Sequence, residues 1–397
     1  MLENYDIKQL TDPLLTWFGE HARVLPWREE PTPYRVWVSE IMLQQTRVEA
    51  VKPYFERFME RLPDVAALAA CPEDELMKLW EGLGYYNRVR NMQKAAITVM
   101  EEYGGILPAD YGKLLSLKGI GSYTAGAIAS IAYGIPAPAV DGNVFRVLTR
   151  VSADDHDILK PAFRKQVEGQ LREAMEGMKQ PGAFNQALME LGATVCVPNG
   201  APLCAECPWK ELCEAKKAGE ELSYPVKTKA KERRVEERTV LVLRDDEKVA
   251  IRKRPQKGLL AGLYELPNVE GHYTKEEIVG MVKEMGLTPI RVKKLDDAKH
   301  IFSHIEWKME GYAVLVEEAG FWEDAEETEN KDGLIFVDAK SSQDRYAIPS
   351  AFAAYAKYMN IRLGNGRFEK EEYWIKKREP VINTGFSYEK DCVWKVR

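Results

Sequence analysis

The stretch LKGIGSYTAGA, residues 117–127, decides how the first half of this chain is read. Two glycines flank one isoleucine, and small and apolar residues follow at helical spacing. Glycines at 119 and 121 permit backbone angles closed to other residues, and a helix is predicted to start near Ser122. YGKLLSL on the N-terminal side supplies a preceding helix, with Ile120 at the tip of the turn. Backbone N–H groups at such a helix start point outward and can cradle an anion. A hairpin whose glycines serve only packing fits Gly119 and Gly121 as well, and the turn alone does not choose.

The rest of the chain sets limits on that choice. With 397 residues it is too long for one ordinary core, so two or three domains are expected. Its 45% hydrophobic and 30% charged residues are those of a soluble globular protein, and no apolar run approaches the roughly 18 residues that suggest a membrane span. The segment MLENYDIKQL has neither a basic nor an apolar leader region, which predicts a reducing, cytoplasmic home. A net charge of −6 excludes a protein that coats nucleic acid through bulk positive charge. Any DNA contact must therefore be local. Helix, apolar-tipped glycine turn and helix form a helix-hairpin-helix signature (about 111–130), which grips a DNA phosphate with main-chain amides and needs few lysines.

Up to about residue 190 the apolar spacing is helical, as in VWVSEIMLQQTRVEAVKPYFERFMERL, so this region is read as all-α. A four-cysteine segment closes it. PVKTKAKERRVEER (225–238) carries six basic and three acidic residues with hardly an apolar side chain and is read as a linker. Strand signals follow: TVLVLRDDEKVAIRKR as a hairpin, IEWKM alternating at period two, and GLIFVDA. With helical pieces at TKEEIVGMVKEMG and SAFAAYAKYM, the second region is α+β. The expected division is 1–222 for the helical domain, 223–238 for the linker, 239–360 for the α+β domain and 361–397 for a C-terminal extension without interpretable pattern.

Two carboxylates and a cysteine cluster carry the candidate chemistry. Glu40 sits in VWVSEIMLQQT with apolar residues on both sides. Desolvation there raises a carboxyl pKa, as a general acid working near neutral pH requires; a buried Glu paired with Arg28 or Arg35 is the plainer alternative. In PAPAVDGNVFRVLTRV, Asp141 stands just before a helical run, where Asp usually caps, yet a capping carboxylate can still face a cleft. Together the two would form a carboxyl pair of the sort that breaks glycosidic bonds through an oxocarbenium-like transition state. Cys196, Cys204, Cys207 and Cys213 give C-x7-C-x2-C-x5-C, a spacing fit for zinc or an iron–sulfur cluster.

These motifs, taken with LPWR (25–28), SEIMLQQT (39–46), WEGLGYYNR (80–88), FNQALMELG (184–192) and FSH (302–304), resemble in order those of the MutY-type adenine DNA glycosylases of the endonuclease III superfamily. The resemblance implies a helix-hairpin-helix glycosylase domain with one [4Fe–4S] cluster on the four cysteines, and a second domain like the nucleotide hydrolase MutT (Nudix). It implies a monomer in a bacterial cytoplasm, on the nucleoid while acting, whose partner is double-stranded DNA containing adenine opposite 8-oxoguanine or guanine. The family's usual first cysteine spacing is six residues; VPNGAPL makes it seven. In the family's lyase relatives a lysine stands two positions after the last hairpin glycine and forms a Schiff base. That position is Tyr123 here, and a phenol cannot form an imine, so a monofunctional enzyme is expected.

By the same resemblance Glu40 protonates a flipped adenine, Asp141 stabilises or captures the cationic sugar, and Asn143 supports Asp141. Arg28 and Gln186 contact the base, Gln45 and Tyr85 fill the vacated stack, and Tyr123 lies beside the sugar. In HIFSH (300–304), an alternating strand would put His300, Phe302 and His304 on one face, and a histidine pair at that spacing could bind metal, though no third ligand is evident. The family offers another role: a loop in which Ser303 reads 8-oxoguanine, Phe302 wedges beside the stack and the histidines support them. A working pyrophosphohydrolase is not expected, since TKEEIVGMVKEMGL lacks the R-E-x-x-E-E carboxylate set for Mg²⁺.

Overall fold

Apolar residues recurring at helical spacing fold the first half into short helices around two cores. The computed structural model describes residues 7–228, 232–317 and 333–359; the expected C-terminal extension lies outside the described residues. In chain order the helices are α1 (Ile7–His21), α2 (Pro26–Glu29), α3 (Pro33–Leu43), α4 (Val48–Arg61), α5 (Val65–Ala70), α6 (Glu73–Leu79), α7 (Asn87–Tyr103), α8 (Tyr111–Ser116), α9 (Ser122–Ala127), α10 (Gly142–Ser152), α11 (Pro161–Met175), α12 (Pro181–Thr194) and α13 (Glu214–Ala218). One core gathers Trp37, Phe55, Phe58 and Trp80 from α3 to α7. The other gathers Leu14, Phe145, Leu148, Phe184 and Trp209 from α1, α10, α12 and the cysteine segment. Glycine lets the seam between them close: a Cβ on Gly126 would stand 2.0 Å from the Pro138 carbonyl oxygen, and one on Gly182 would stand 2.6 Å from that of Ser130. Asn185 finishes the seam by donating to Ser130 Oγ and the Ala137 carbonyl, both at 2.8 Å, and by accepting from the Ala139 amide at 3.1 Å.

The turn between α8 and α9 is the hairpin read from the sequence. Gly119 has φ +81°, and a Cβ there would fall 2.7 Å from Asn91 Cβ, so both conformation and space demand glycine. Gly121 is different: its φ is −94° and open space surrounds the place of a Cβ. Ile120 is buried at the tip.

The second half is a mixed sheet of β1 (Arg234–Asp245), β2 (Lys248–Lys253), β3 (Tyr264–Glu265), β4 (Asn268–Glu270), β5 (Thr288–Lys294), β6 (Ala298–Ile301), β7 (Ile305–Glu317) and β8 (Leu334–Val337). Its central order is β3-β2-β1-β7-β5, with β1 and β7 parallel from Arg234↔Ile305 to Arg244↔Leu315. The continuous apolar run of β1 reflects burial on both faces. Val240 and Val242 pack with Trp307, Phe352 and Tyr355 on one side, while Leu241 and Leu243 meet Ile278 and Val282 of α14 (Lys275–Glu284) on the other. Helix α15 (Ala339–Arg345) and a 3₁₀ helix (Ser350–Tyr358) follow. Strand β1 begins at Arg234, inside the stretch read as linker to 238, because β7 supplies a parallel partner that a polar sequence does not advertise. Among the described residues no helix is long and apolar enough to cross a membrane.

Candidate active site

Glu40 lies near the C-terminal end of α3, only 6% exposed, and faces the seam between the two helical cores. Its partner is Tyr123, one residue into α9, whose hydroxyl donates to Glu40 Oε2 and also contacts Met189 Sδ at 3.3 Å. Burial pushes the Glu40 carboxyl up to about 7; the Tyr123 hydrogen bond opposes this, the Asp141 charge adds to it and Arg28 pulls it back. The alternative of a Glu paired with a cation does not hold. Arg35 donates to the Pro26 carbonyl at 2.8 Å, and Arg28 gives Nη2 to Glu190 at 2.9 Å and Nη1 to the Arg23 carbonyl at 3.1 Å.

Asp141 is both the cap of α10 and a member of the site. Its Oδ1 accepts from the amides of Asn143 (2.9 Å) and Val144 (2.8 Å), and Oδ2 accepts from Asn143 Nδ2 (2.7 Å). Burial raises its pKa above the ordinary carboxylate value, and these donors, which favour the anion, pull it back. Asn143 is held in turn by Arg146, which donates to Asn143 Oδ1, to the Gly192 carbonyl and to the Cys196 carbonyl, each at 2.7 Å. Gln186 lies on α12, half-buried, with its amide near the Gly182 carbonyl at 3.4 Å.

Gln45 and Tyr85 are exposed, on the loops after α3 and before α7. Both adopt left-handed backbone, φ 59° and 49°, a conformation that costs a non-glycine residue about 1–3 kcal/mol and persists where the surroundings enforce it. The Tyr85 hydroxyl reaches Ser303 Oγ at 3.0 Å, so the two domains meet at these residues. The segment 300–304 is not the alternating strand. β6 ends at Ile301, and the Phe302 amide donates to the Ile305 carbonyl at 2.8 Å, closing a hairpin with Ser303 and His304 exposed at its tip. Phe302 packs edge-on between His300 (4.6 Å) and the fully buried Trp307 (5.0 Å), whose indole N–H donates to Glu236 at 2.9 Å. His300 is therefore occupied by packing.

Cys196, Cys204, Cys207 and Cys213 are free and line one small cavity with Arg150, Lys210 and Lys216. The seven residues between Cys196 and Cys204 run through an exposed loop around Gly200 (φ +76°), which the Leu203 amide closes by donating to the Val195 carbonyl at 2.9 Å.

A model of the HhH-GPD superfamily base excision DNA repair protein matches residues 38–173, and a NUDIX domain model matches residues 239–358. The adenine DNA glycosylase of Buchnera aphidicola subsp. Schizaphis graminum is 34% identical over 296 residues, 73% of this chain and 83% of its own length. The chain belongs to the adenine DNA glycosylase family. The human adenine DNA glycosylase is 35% identical over 364 residues, 77% of this chain; the chain spans 66% of that relative's length. A solved structure titled as a thermostable thymine-DNA glycosylase is 27% identical, with TM-score 0.49, covering 55% of this chain and 100% of its own.

The cysteine site of this glycosylase suits a cluster of the kind its family implies. Burial pushes the Cys207 thiol up to about 12 and the other three sulfurs add to the effect, so the donor set needs a cation to hold it as thiolates. Among the described residues, Asp154, Asp155 and His156 are the one group of three ligand atoms lying within 4.8 Å of one another. Arg150 donates to Cys196 Sγ at 3.4 Å and offsets negative charge there.

Three residues escaped the sequence reading. Glu190 is 1% exposed and grips both Arg23 (2.6 Å) and Arg28 (2.9 Å), which hold its pKa below the usual carboxylate range. An acid in the apolar run FNQALMELG is the same signal that singled out Glu40. Arg146 sits on the buried face of α10, where a charge out of pattern was visible. Arg88 left no signal in the sequence, because its partners at Ile41, Met42 and Gln44 lie 44 to 47 residues away.

Proposed function

We propose that this glycosylase releases adenine paired with 8-oxoguanine or guanine from duplex DNA, as a monomer, and leaves the strand intact. The observation that carries the reading is a buried carboxyl with a pKa near 7, Glu40, placed against Tyr123 and close enough to Asp141 to feel its charge. The adenine swings out of the stack, and Gln45 and Tyr85 occupy the gap. Glu40 gives its proton to N7 of the base, the glycosidic electron pair leaves with the base, and Asp141, as an anion held by Asn143, stabilises the cationic sugar or captures it. Water then adds at the sugar, and the Glu40 carboxylate takes its proton. Arg28 and Gln186 orient the adenine.

Amides around Gly119 and Gly121 grip a phosphate beside the lesion, which explains open space at Gly121 better than packing does. Ser303 at the hairpin tip and Phe302 at its base read the base opposite adenine, a role supported by the Tyr85–Ser303 contact. Cys196, Cys204, Cys207 and Cys213 hold one [4Fe–4S] cluster, which when bound cross-links residues 196–213 into a rigid loop. The Arg146 bridge then ties that loop to Asn143.

The test uses a labelled duplex with adenine opposite 8-oxoguanine, resolved on denaturing gels with and without alkali. Breaks after alkali alone are expected. Breaks without alkali would overturn the monofunctional reading, since Tyr123 offers no amine; no breaks in either lane would overturn the activity.

A further inference from the structure

Gln45 and Tyr85 stand on separate loops, yet one side chain holds both. Arg88, in the first turn of α7, sends Nη1 to the carbonyls of Ile41 (2.6 Å), Met42 (3.3 Å) and Gln44, the last residue before Gln45. Its Nη2 goes to the carbonyls of Leu83 and Gly84, both at 3.1 Å, the latter the residue before Tyr85. The guanidinium carbon lies 5.4 Å from the Trp80 ring centroid and 5.6 Å from that of Tyr85. Each hydrogen-bond acceptor is a main-chain carbonyl, and those of Ile41, Met42 and Gln44 belong to the C-terminal end of α3, where the last carbonyls have no partner within the helix. A planar fork with donors in two directions can serve both loops at once; a single ammonium cannot.

We propose that Arg88 is a positioning residue for base flipping: it locks the two left-handed residues Gln45 and Tyr85 into one rigid wedge, so that both enter the duplex together when the adenine leaves. This deepens the proposed function and rests on the reading of Gln45 and Tyr85 as stack-filling residues. The left-handed backbone at both positions is what a tether is needed for, because neither residue relaxes into it unaided. Arg88 thus joins its own neighbours Leu83, Gly84 and Tyr85 to carbonyls 44 to 47 residues earlier in the chain.

The experiment compares the parent, Arg88→Lys and Arg88→Gln as full-length proteins. Flipping is followed by stopped-flow fluorescence of 2-aminopurine placed opposite 8-oxoguanine, with Glu40→Gln added to block chemistry. Single-turnover adenine excision is measured on a fully paired duplex and on one whose adenine lies in a short unpaired bubble. We expect Arg88→Lys to slow flipping and paired-duplex excision about tenfold or more, to leave the pH at which excision declines unchanged, and to regain most of the loss on the bubble. Flipping at the parent rate, or an equal loss on both substrates, would overturn the proposal. Should Arg88→Gln fail to fold, the lysine variant, which keeps the charge, decides alone. Gln45→Ala with Tyr85→Ala is the control for the underlying reading: if that protein flips like the parent, the wedge assignment falls whatever Arg88 does.

Discussion

The Tyr123 hydroxyl donates to Glu40 Oε2, joining the hairpin to the helix that carries the acid. The bond favours the carboxylate and so works against burial, which favours the protonated form. Replacing Tyr123 with Phe removes the donor while keeping the ring, and Glu40 is then expected to hold its proton to higher pH. Single-turnover excision rates across pH 5.5–9 should show the alkaline decline displaced upward. A decline at the same pH in both proteins would mean that Tyr123 does not set the acid.

Replacing Glu40 is expected to act on catalysis and on stability with opposite signs. Its pKa is near 7 in the folded chain against an ordinary 4.5, so between those values the folded chain binds a proton that the unfolded chain has lost. Stability therefore falls as pH rises through that window and stays lower above it, by about 3 kcal/mol from the size of the shift. Excision by the parent is expected to decline above pH ~7 as the acid ionises. Glu40→Gln is expected to lose at least 10²–10⁴-fold in excision while binding DNA, and to melt higher than the parent at pH 8 but not at pH 4.5. Thermal melts at the two pH values and gel-shift assays check both halves; a lower melting temperature at pH 8 would contradict the burial argument.

The cysteine cavity makes a compositional prediction. Protein produced with ample iron is expected to be brown, with about four iron atoms per chain by metal analysis. Cys204→Ser is expected to lose iron and to lower the melting temperature, because a bound cluster joins residues 196–213 at four points. One zinc per chain in place of iron would show that the wider first spacing had changed the site.

Phe302 and Ser303 are the test of the second domain. The double change Phe302→Ala with Ser303→Ala is expected to narrow the preference for 8-oxoguanine over guanine opposite adenine, since one hydrogen bond is worth about 1 kcal/mol, roughly fivefold, before the aromatic contact is counted. Excision of bound adenine in single turnover should persist. Discrimination equal to that of the parent would remove this hairpin from lesion reading.

What the sequence determined by itself was local. Gly119 must be glycine because the turn requires positive φ, Asp141 caps the helix that begins beside it, and the alternation of TVLVL with charged turns makes a buried strand. Each depends on neighbours a few residues away, so a linear reading finds it. The start of β1 at Arg234 and the reach of Arg88 to the end of α3 were decided only in three dimensions, because their partners are remote in the chain. The clearest division lies between Glu40 and Glu190, two acids in similar apolar helices and both buried. Packing sets two arginines against Glu190 and draws its pKa down, whereas it gives Glu40 a phenol and a neighbouring carboxylate and lets desolvation push its pKa up to about 7. Burial was legible in the sequence; which acid keeps its proton depends on the charge brought beside it, and tertiary structure alone supplies that charge.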